Sequence, residues 1–137
     1  MSIYALDTNT LTFLLKEDET VSRNAVASTN KGNELTIPQI VDYEVQRGLL
    51  AKRMTKKLQK YLAFRQTVSV GAFGEDVWEK AACVYASLRQ RGKPIDDADV
   101  LIAAFCLVKG CTLVTNNTRH FENVDGLRFV DWKETAQ

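Results

Sequence analysis

The chain has 137 residues, 45% of them hydrophobic, and its 18 Lys and Arg residues nearly balance 17 Asp and Glu residues, which leaves a net charge of +1. This size and composition predict one globular domain spanning residues 1–137, and they exclude collagenous, disordered and disulfide-knotted proteins. No uncharged stretch is long enough to cross a bilayer and the start does not resemble a leader, so we expect a cytoplasmic protein without membrane contact.

In chain order, the first half of the sequence predicts two strands and four helices. They are a strand at Ile3–Leu6, a helix that starts within Asp7–Thr10 and continues to Leu15, a weaker helix at Val21–Thr29, a strand at Leu35–Ile37, and helices at about Pro38–Ala51 and Met54–Phe64. The strands are apolar and rich in strand formers, whereas the helices carry apolar residues at helical spacing. Pro38 is expected in the first turn of its helix, where a missing N–H costs nothing.

The second half predicts three further strands and two helices. They are a strand at Val68–Val70, a helix from Glu75 to Leu88, a helix over the apolar run Val100–Val108, and strands at Thr112–Thr115 and Leu127–Val130. Because strands and helices alternate, the sequence predicts an α/β fold with a doubly wound, parallel sheet and helices on both faces.

The number and spacing of the cysteine and histidine residues limit which catalytic and metal-binding sites the chain can form. Cys83, Cys106 and Cys111 form no CxxC pair and predict reduced, structural thiols. His120 is the only histidine and no G-x-S-x-G motif is present, so a Ser-His-Asp hydrolase, a Cys-His protease and a zinc site all lack support.

Acidic residues fall where a parallel sheet collects its ligands, at the carboxyl ends of the strands. Asp7 follows the first strand, Asp99 lies in the first turn of a helix, and Glu44 lies about two turns into another. Asn116 and Asn117 follow the fourth strand, so we expect these groups at one rim of the sheet. Each acid also has a structural interpretation, because Asp7 and Asp99 suit helix N-termini and Glu44 suits a solvated helix face.

A run of cations forms a second feature. Between Glu44 and Glu75 there is no acidic residue, yet seven of the 18 cations fall there. They are Arg47, Lys52, Arg53, Lys56, Lys57, Lys60 and Arg65. Like charges without a compensating carboxylate repel one another, so the run favours a polyanion or an acidic partner over a merely solvated face.

Four motifs in order make the sequence similar to the PIN-domain nucleases, and within them to the VapC-type toxins of toxin–antitoxin pairs. They are Leu6–Asn9, Tyr43–Gly48 in place of the family's Glu-Leu-x-x-Gly, Gly92–Ile95 with Asp99–Ala104, and Leu113–Phe121. The similarity covers nearly the whole chain. It implies a PIN-like three-layer α/β/α fold with a central, mainly parallel sheet.

The resemblance also implies a catalytic set. By it, Asp7, Glu44 and Asp99 are the acidic ligands of Mg²⁺ or Mn²⁺, and Asn117 joins them in catalysis. The family often has a further carboxylate where this chain has Asn117 or His120, and Asp96 or Asp97 is a candidate replacement. His120 is interpreted as an RNA contact, with a proton shuttle as the alternative. Hydrolysis by this route leaves a 5′-phosphate and a 3′-hydroxyl.

Partners follow from the same resemblance. It implies an endoribonuclease that cleaves RNA, with tRNA as one candidate substrate. It also implies that the protein forms a homodimer and that a cognate VapB-type antitoxin neutralises it. The basic run, apart from Arg65, and His120 are then the expected RNA contacts. Two alternatives stay open: a PIN-like RNA-binding module with impaired catalysis, and a phosphohydrolase with Asp7 as nucleophile. The second usually requires Asp-x-Asp, whereas Asn9 holds the second place here.

Overall fold

The computed structural model describes residues 1–134 and is built on a single five-stranded sheet. Strands β1–β5 span Ile3–Leu6, Glu34–Pro38, Ser69–Gly71, Thr112–Val114 and Phe129–Val130. Helices α1–α7 span Thr8–Leu15, Glu19–Asn30, Gln39–Ala51, Thr55–Arg65, Glu75–Gln90, Asp97–Lys109 and Thr118–Phe121. The strand order is β3-β2-β1-β4-β5 and every pairing is parallel, which confirms the predicted α/β fold.

The central strands are apolar because both faces of the sheet are covered. Ala5, Leu6, Ile37, Leu113 and Val114 are fully buried. The chain proceeds from β1 outward to β3, then crosses back to β4, so the winding direction reverses between β1 and β4. Right-handed crossovers then place α1–α4 on one face and α5–α7 on the other. In such sheets the reversal opens a crevice at the carboxyl ends of the two central strands.

Most predicted elements match the structure within a few residues, and the differences have local causes. Pro38 has φ −58° and ψ 141°, an extended conformation, so it ends β2 and precedes α3 instead of lying in the first turn. Asp18 accepts a hydrogen bond from the Val21 N–H and thereby starts α2 earlier than predicted. The sequence did not predict α7, because four mostly polar residues carry no helical periodicity.

A close contact fixes the position of α6 against β3. A Cβ atom on Gly71 would lie 2.1 Å from Cζ of Phe105, so only glycine fits there. The Phe105 ring stacks on Phe73 with centroids 5.4 Å apart. The sequence offered no sign of this approach.

A buried polar network joins α3 to α4. Asp42 accepts hydrogen bonds from the Tyr61 hydroxyl at 2.7 Å, Arg65 Nε at 2.9 Å and Gln46 Nε2 at 3.1 Å. Arg65 therefore has a partner inside the fold, and α4 is held on the same face as α1 and α3. Among residues 1–134, no helix combines the length and apolar character needed to span a membrane.

Candidate active site

Asp7 lies at the carboxyl end of β1, in the crevice where the winding direction reverses. Its Oδ1 accepts a hydrogen bond from the Thr10 N–H at 2.8 Å, and its own N–H donates to the Val114 carbonyl at 3.2 Å. Asp7 thus caps α1 and touches β4. The residue is 5% exposed, and this burial raises the pKa of its carboxyl group above the ordinary value. Hydrogen bonds from Thr115 and Thr10 oppose the rise, whereas the charge of Asp99 adds to it.

Glu44 reaches the same crevice from α3. Its Oε1 accepts a hydrogen bond from the Thr8 hydroxyl at 2.9 Å, which ties the middle of α3 to the start of α1. Its Oε2 lies 3.7 Å from Arg47 Nη2. The side chain is only 20% exposed, so Glu44 does not lie on a solvated helix face.

Asp99 approaches from the opposite face of the sheet, in the first turn of α6. Its Oδ2 lies 2.9 Å from His120 Nδ1, and its side chain is 19% exposed. Burial raises the pKa of the Asp99 carboxyl group, and the charges of Asp96 and Glu44 add to the rise, while the hydrogen bond with His120 opposes it. Asp96 lies at the N-cap of α6 without a capping side-chain hydrogen bond.

Asp99 therefore lies within electrostatic reach of each of the other two predicted acids. Asp7 is affected by the charge of Asp99, and Asp99 by that of Glu44. However, among residues 1–134 no three His, Cys, Asp or Glu side chains lie close enough together to hold a metal ion. Each acid instead contacts another protein group. Asp7 accepts a hydrogen bond from the Thr10 N–H, and Glu44 accepts one from the Thr8 hydroxyl. Asp99 lies against His120.

As a donor set, these acids fit a hard divalent cation. Mg²⁺ and Mn²⁺ favour carboxylate oxygens, and buried carboxylates with raised pKa values gain most from a nearby positive charge. To ligate one ion together, the three carboxylates would have to lie closer to one another than they do in the described residues. The three acids are suitable ligands for such a cation, but among residues 1–134 their side chains do not form a complete coordination site.

The two asparagines after β4, Asn116 and Asn117, make different contacts. Asn116 Oδ1 accepts a hydrogen bond from Asn9 Nδ2 at 3.3 Å, which joins the start of α1 to the end of β4. The Asn117 N–H donates to Thr115 Oγ1 at 3.0 Å at the start of α7. In the described part of the chain the Asn117 side chain makes no hydrogen bond. The sequence pointed to Asn117 but not to the contact between Asn9 and Asn116.

Some cations of the basic run contact other residues of the fold, whereas others have no ion-pair partner among residues 1–134. Arg65 pairs with Asp42, Lys60 Nζ donates to the Leu15 carbonyl at 2.8 Å, and Arg47 lies over the Tyr43 ring at 5.0 Å. Four exposed cations have no ion-pair partner within residues 1–134. We refer to them as the basic cluster, which comprises Lys52, Arg53, Lys56 and Lys57.

Comparisons with known proteins agree with this geometry. The profile of the family described as PIN domain matches residues 4–127. The chain is 29% identical to the tRNA(fMet)-specific endonuclease VapC of Shigella flexneri over 130 residues, which cover 94% of this chain and 97% of that protein. It is 30% identical to ribonuclease VapC2 of Haemophilus influenzae over 136 residues, with 94% and 97% covered.

A comparison with solved structures also identifies a VapBC protein as similar. The fold superposes on a chain of the VapBC2 complex from Rickettsia felis, which is bound to a DNA fragment from its promoter. The TM-score is 0.87 at 27% identity, and the match covers 95% of this chain and 98% of that one. The three-layer α/β/α architecture predicted from the sequence is thereby confirmed.

Proposed function

Since this chain belongs to the PIN domain family and, within it, to the VapC-type ribonucleases, we propose that it is an endoribonuclease toxin neutralised by a VapB-type antitoxin. One observation carries the proposal for this chain. Asp7, Glu44 and Asp99 come from three separate elements that border the crevice between β1 and β4, where α/β sheets bind ligands, and Asp99 is close enough for its charge to interact with those of Asp7 and Glu44.

Asp7, Glu44 and Asp99 would together hold Mg²⁺ or Mn²⁺. The raised pKa values of Asp7 and Asp99 support this, because a cation beside them would offset the burial, and the smaller repulsion between carboxylates, that favour their protonated forms. A divalent ion at such a site lowers the pKa of a bound water and neutralises charge on the phosphate under attack. In this chain, the Thr10 N–H holds Asp7 in place and the Thr8 hydroxyl orients Glu44.

Asn117 and His120 have supporting roles in the proposal. His120 is 52% exposed and reaches Asp99 from α7, so it is placed to orient Asp99 and to meet RNA at the rim. Asn117 precedes α7 and offers an amide to RNA or to water near the acids. Asp96 is close enough for its charge to affect Asp99, which makes it a better candidate than Asp97 for the further acid of the family.

The basic cluster, together with Arg47 and Lys60, is proposed to contact RNA phosphates. We propose tRNA as the substrate class, because one similar protein is named a tRNA(fMet)-specific endonuclease. A toxin of this kind would act in the cytoplasm, as a single domain over residues 1–137 and as a homodimer bound by its antitoxin.

Cleavage by purified protein tests the proposal. The wild type should cut single-stranded RNA and tRNA only with Mg²⁺ or Mn²⁺ and leave 5′-phosphate and 3′-hydroxyl ends. Asp7→Asn, Glu44→Gln and Asp99→Asn should each reduce the rate at least about a hundredfold, since each removes one charged ligand. Asn117→Ala should reduce it less, and Asp125→Asn, on an exposed loop, should cleave at the wild-type rate.

One observation favours a second candidate, a non-catalytic RNA-binding module: no group of metal-holding side chains is assembled within residues 1–134. RNA binding by the wild type without any metal-dependent cleavage would support this module. Metal-dependent cleavage that Asp7→Asn abolishes would exclude it.

A further inference from the structure

A groove opens beside the proposed active site. We propose that this groove, enclosed by α1, α3 and α4, binds one unstacked nucleotide of the RNA substrate next to the phosphate that is cleaved. The inference rests on the proposed function and adds a site for substrate recognition to it.

The groove has the size of a ligand pocket and an aliphatic floor. Its volume is about 340 Å³, within the range of roughly 300–1,000 Å³ that is typical of small-molecule sites. Leu15, Val45, Leu49 and Met54 supply apolar surface. Flat apolar surfaces of this kind pack against the faces of unstacked bases in enzymes that bind single nucleotides.

The charges around the groove favour an anionic occupant. Lys16, Lys52 and Lys57 line it and are exposed, and none of them forms an ion pair in the described part of the chain. Glu44 is the only acidic residue among the lining side chains. A nucleotide combines an apolar, planar base with a phosphate, which matches an aliphatic floor beside three free lysines.

Gly48 contributes no side chain to the wall of the groove. It lies within α3 rather than at its end, where glycine lowers helix stability relative to alanine. A Cβ atom built on Gly48 would meet nothing within 4 Å, so neither packing nor backbone conformation requires glycine here. Gly48 also lines the groove. What its missing side chain provides is room for an occupant.

The groove is continuous with the proposed active site. Thr8 and Glu44 line it and are hydrogen-bonded to each other at 2.9 Å, and Asp7 precedes Thr8. An RNA whose phosphate lies at Asp7 and Glu44 would therefore place an adjacent nucleotide in the groove. The two shared residues, Thr8 and Glu44, favour an RNA that spans both the acids and the groove.

Substitutions at Gly48 test the proposal. Gly48→Ala should raise the melting temperature by a few degrees, because it removes helical glycine without a clash. Gly48→Leu should fill the groove and leave the fold intact. The matched control is Ala51→Leu, on the exposed end of the same helix and outside the groove. Unchanged or higher melting temperatures would show that any binding defect is not caused by misfolding.

The binding probe is a fluorescent RNA oligonucleotide that contains the cleavage site, titrated in chelator so that it is not cut. A second set of probes lacks one base at each position in turn. We expect the wild type to lose about tenfold in affinity when a base next to the cleaved phosphate is missing. Gly48→Leu should lose a similar factor on the intact probe and no more on the abasic probe, whereas Ala51→Leu should match the wild type.

Other outcomes overturn the inference. If Gly48→Leu binds the intact RNA as tightly as the wild type does, the groove is not a nucleotide site. Metal-dependent cleavage by the wild type would show that the proposed function still stands in that case. If Gly48→Leu keeps its RNA affinity but loses binding to the antitoxin, the groove belongs to the protein partner. A wild type that neither binds nor cleaves RNA would overturn the proposed function as well.

Discussion

At the residue scale, Asp7 is a helix cap and also lies in the proposed active site, two interpretations that were alternatives for the sequence. Its Oδ1 caps α1 through the Thr10 N–H, and its carboxylate stands in the crevice beside β4. A cap requires only an acceptor oxygen, whereas tight binding of a divalent cation depends on the negative charge of a carboxylate. Asparagine in place of Asp7 would keep the first property and lose the second, so the two roles can be separated.

We expect Asp7→Asn to be more stable than the wild type in chelator near pH 7. The folded-state pKa of Asp7 is raised, first by burial, so ionised Asp7 costs stability once the pH exceeds the unfolded-state pKa. The advantage of the variant should therefore shrink as the pH falls and the wild-type carboxyl group becomes protonated. Asp7→Ala should be less stable than Asp7→Asn by about 1 kcal/mol, because it also loses the cap.

Thermal unfolding over a pH series measures both differences. Equal melting temperatures for Asp7→Asn and Asp7→Ala would contradict the cap, and a wild type more stable than Asp7→Asn in chelator would contradict the cost of the buried charge.

At the scale of elements, the junction of α3 and α4 depends on Asp42. Burial would raise the pKa of Asp42, but hydrogen bonds from Arg65, Tyr61 and Gln46 outweigh it and hold the pKa below its ordinary value. The bonds from Tyr61 and Arg65 connect residues 19 and 23 positions apart, across a turn. Asp42 had no predicted role and Arg65 was predicted as part of a basic run, since local charge patterns do not show which residues pair.

Asp42→Asn should destabilise the protein by about 1–3 kcal/mol near pH 7, because Arg65 and Tyr61 lose a charged acceptor. A lowered folded-state pKa stabilises above the unfolded-state pKa, and this stabilisation is lost as the pH falls through the folded-state value. The difference between wild type and variant should thus narrow in acid. Urea denaturation at several pH values measures it, with Asp125→Asn as an exposed control that should change little. A pH-independent difference would show that the charge of Asp42 is not what stabilises the junction.

At the scale of the whole molecule, a net charge of +1 conceals an uneven surface. The basic cluster has four exposed cations without ion-pair partners in the described residues, whereas Lys60 and Arg65 are tethered by the fold. Long-range attraction for a polyanion follows from such local charge and not from the net value.

Arg53→Gln combined with Lys56→Gln should flatten the dependence of RNA affinity on salt. Each lost phosphate contact reduces the log–log slope by about 0.7 for single-stranded RNA. Lys80→Gln, on exposed α5, is a control that should keep the parental slope. If the double variant also keeps that slope, these two cations do not contact RNA phosphates.

Much of the architecture could be predicted because it depends on local signals. Apolar runs marked β1, β2 and β4, and the parallel sheet brought Asp7 and the amides after β4 to one edge. What could not be predicted depends on contacts between distant elements, such as Gly71 against Phe105. The same holds for Asp99, whose position in the first turn of α6 was predicted but whose contact with His120 was not.

The strand order also determines when the proposed toxin becomes competent during synthesis. Tyr4 in the first strand pairs with Thr112, and Asp99 lies in the helix that leads to that partner. A ribosome must therefore have delivered most of the chain before the three acids can meet, and pairings of such long sequence separation form slowly. A nascent chain of the proposed nuclease is therefore expected to stay inactive until translation is nearly finished.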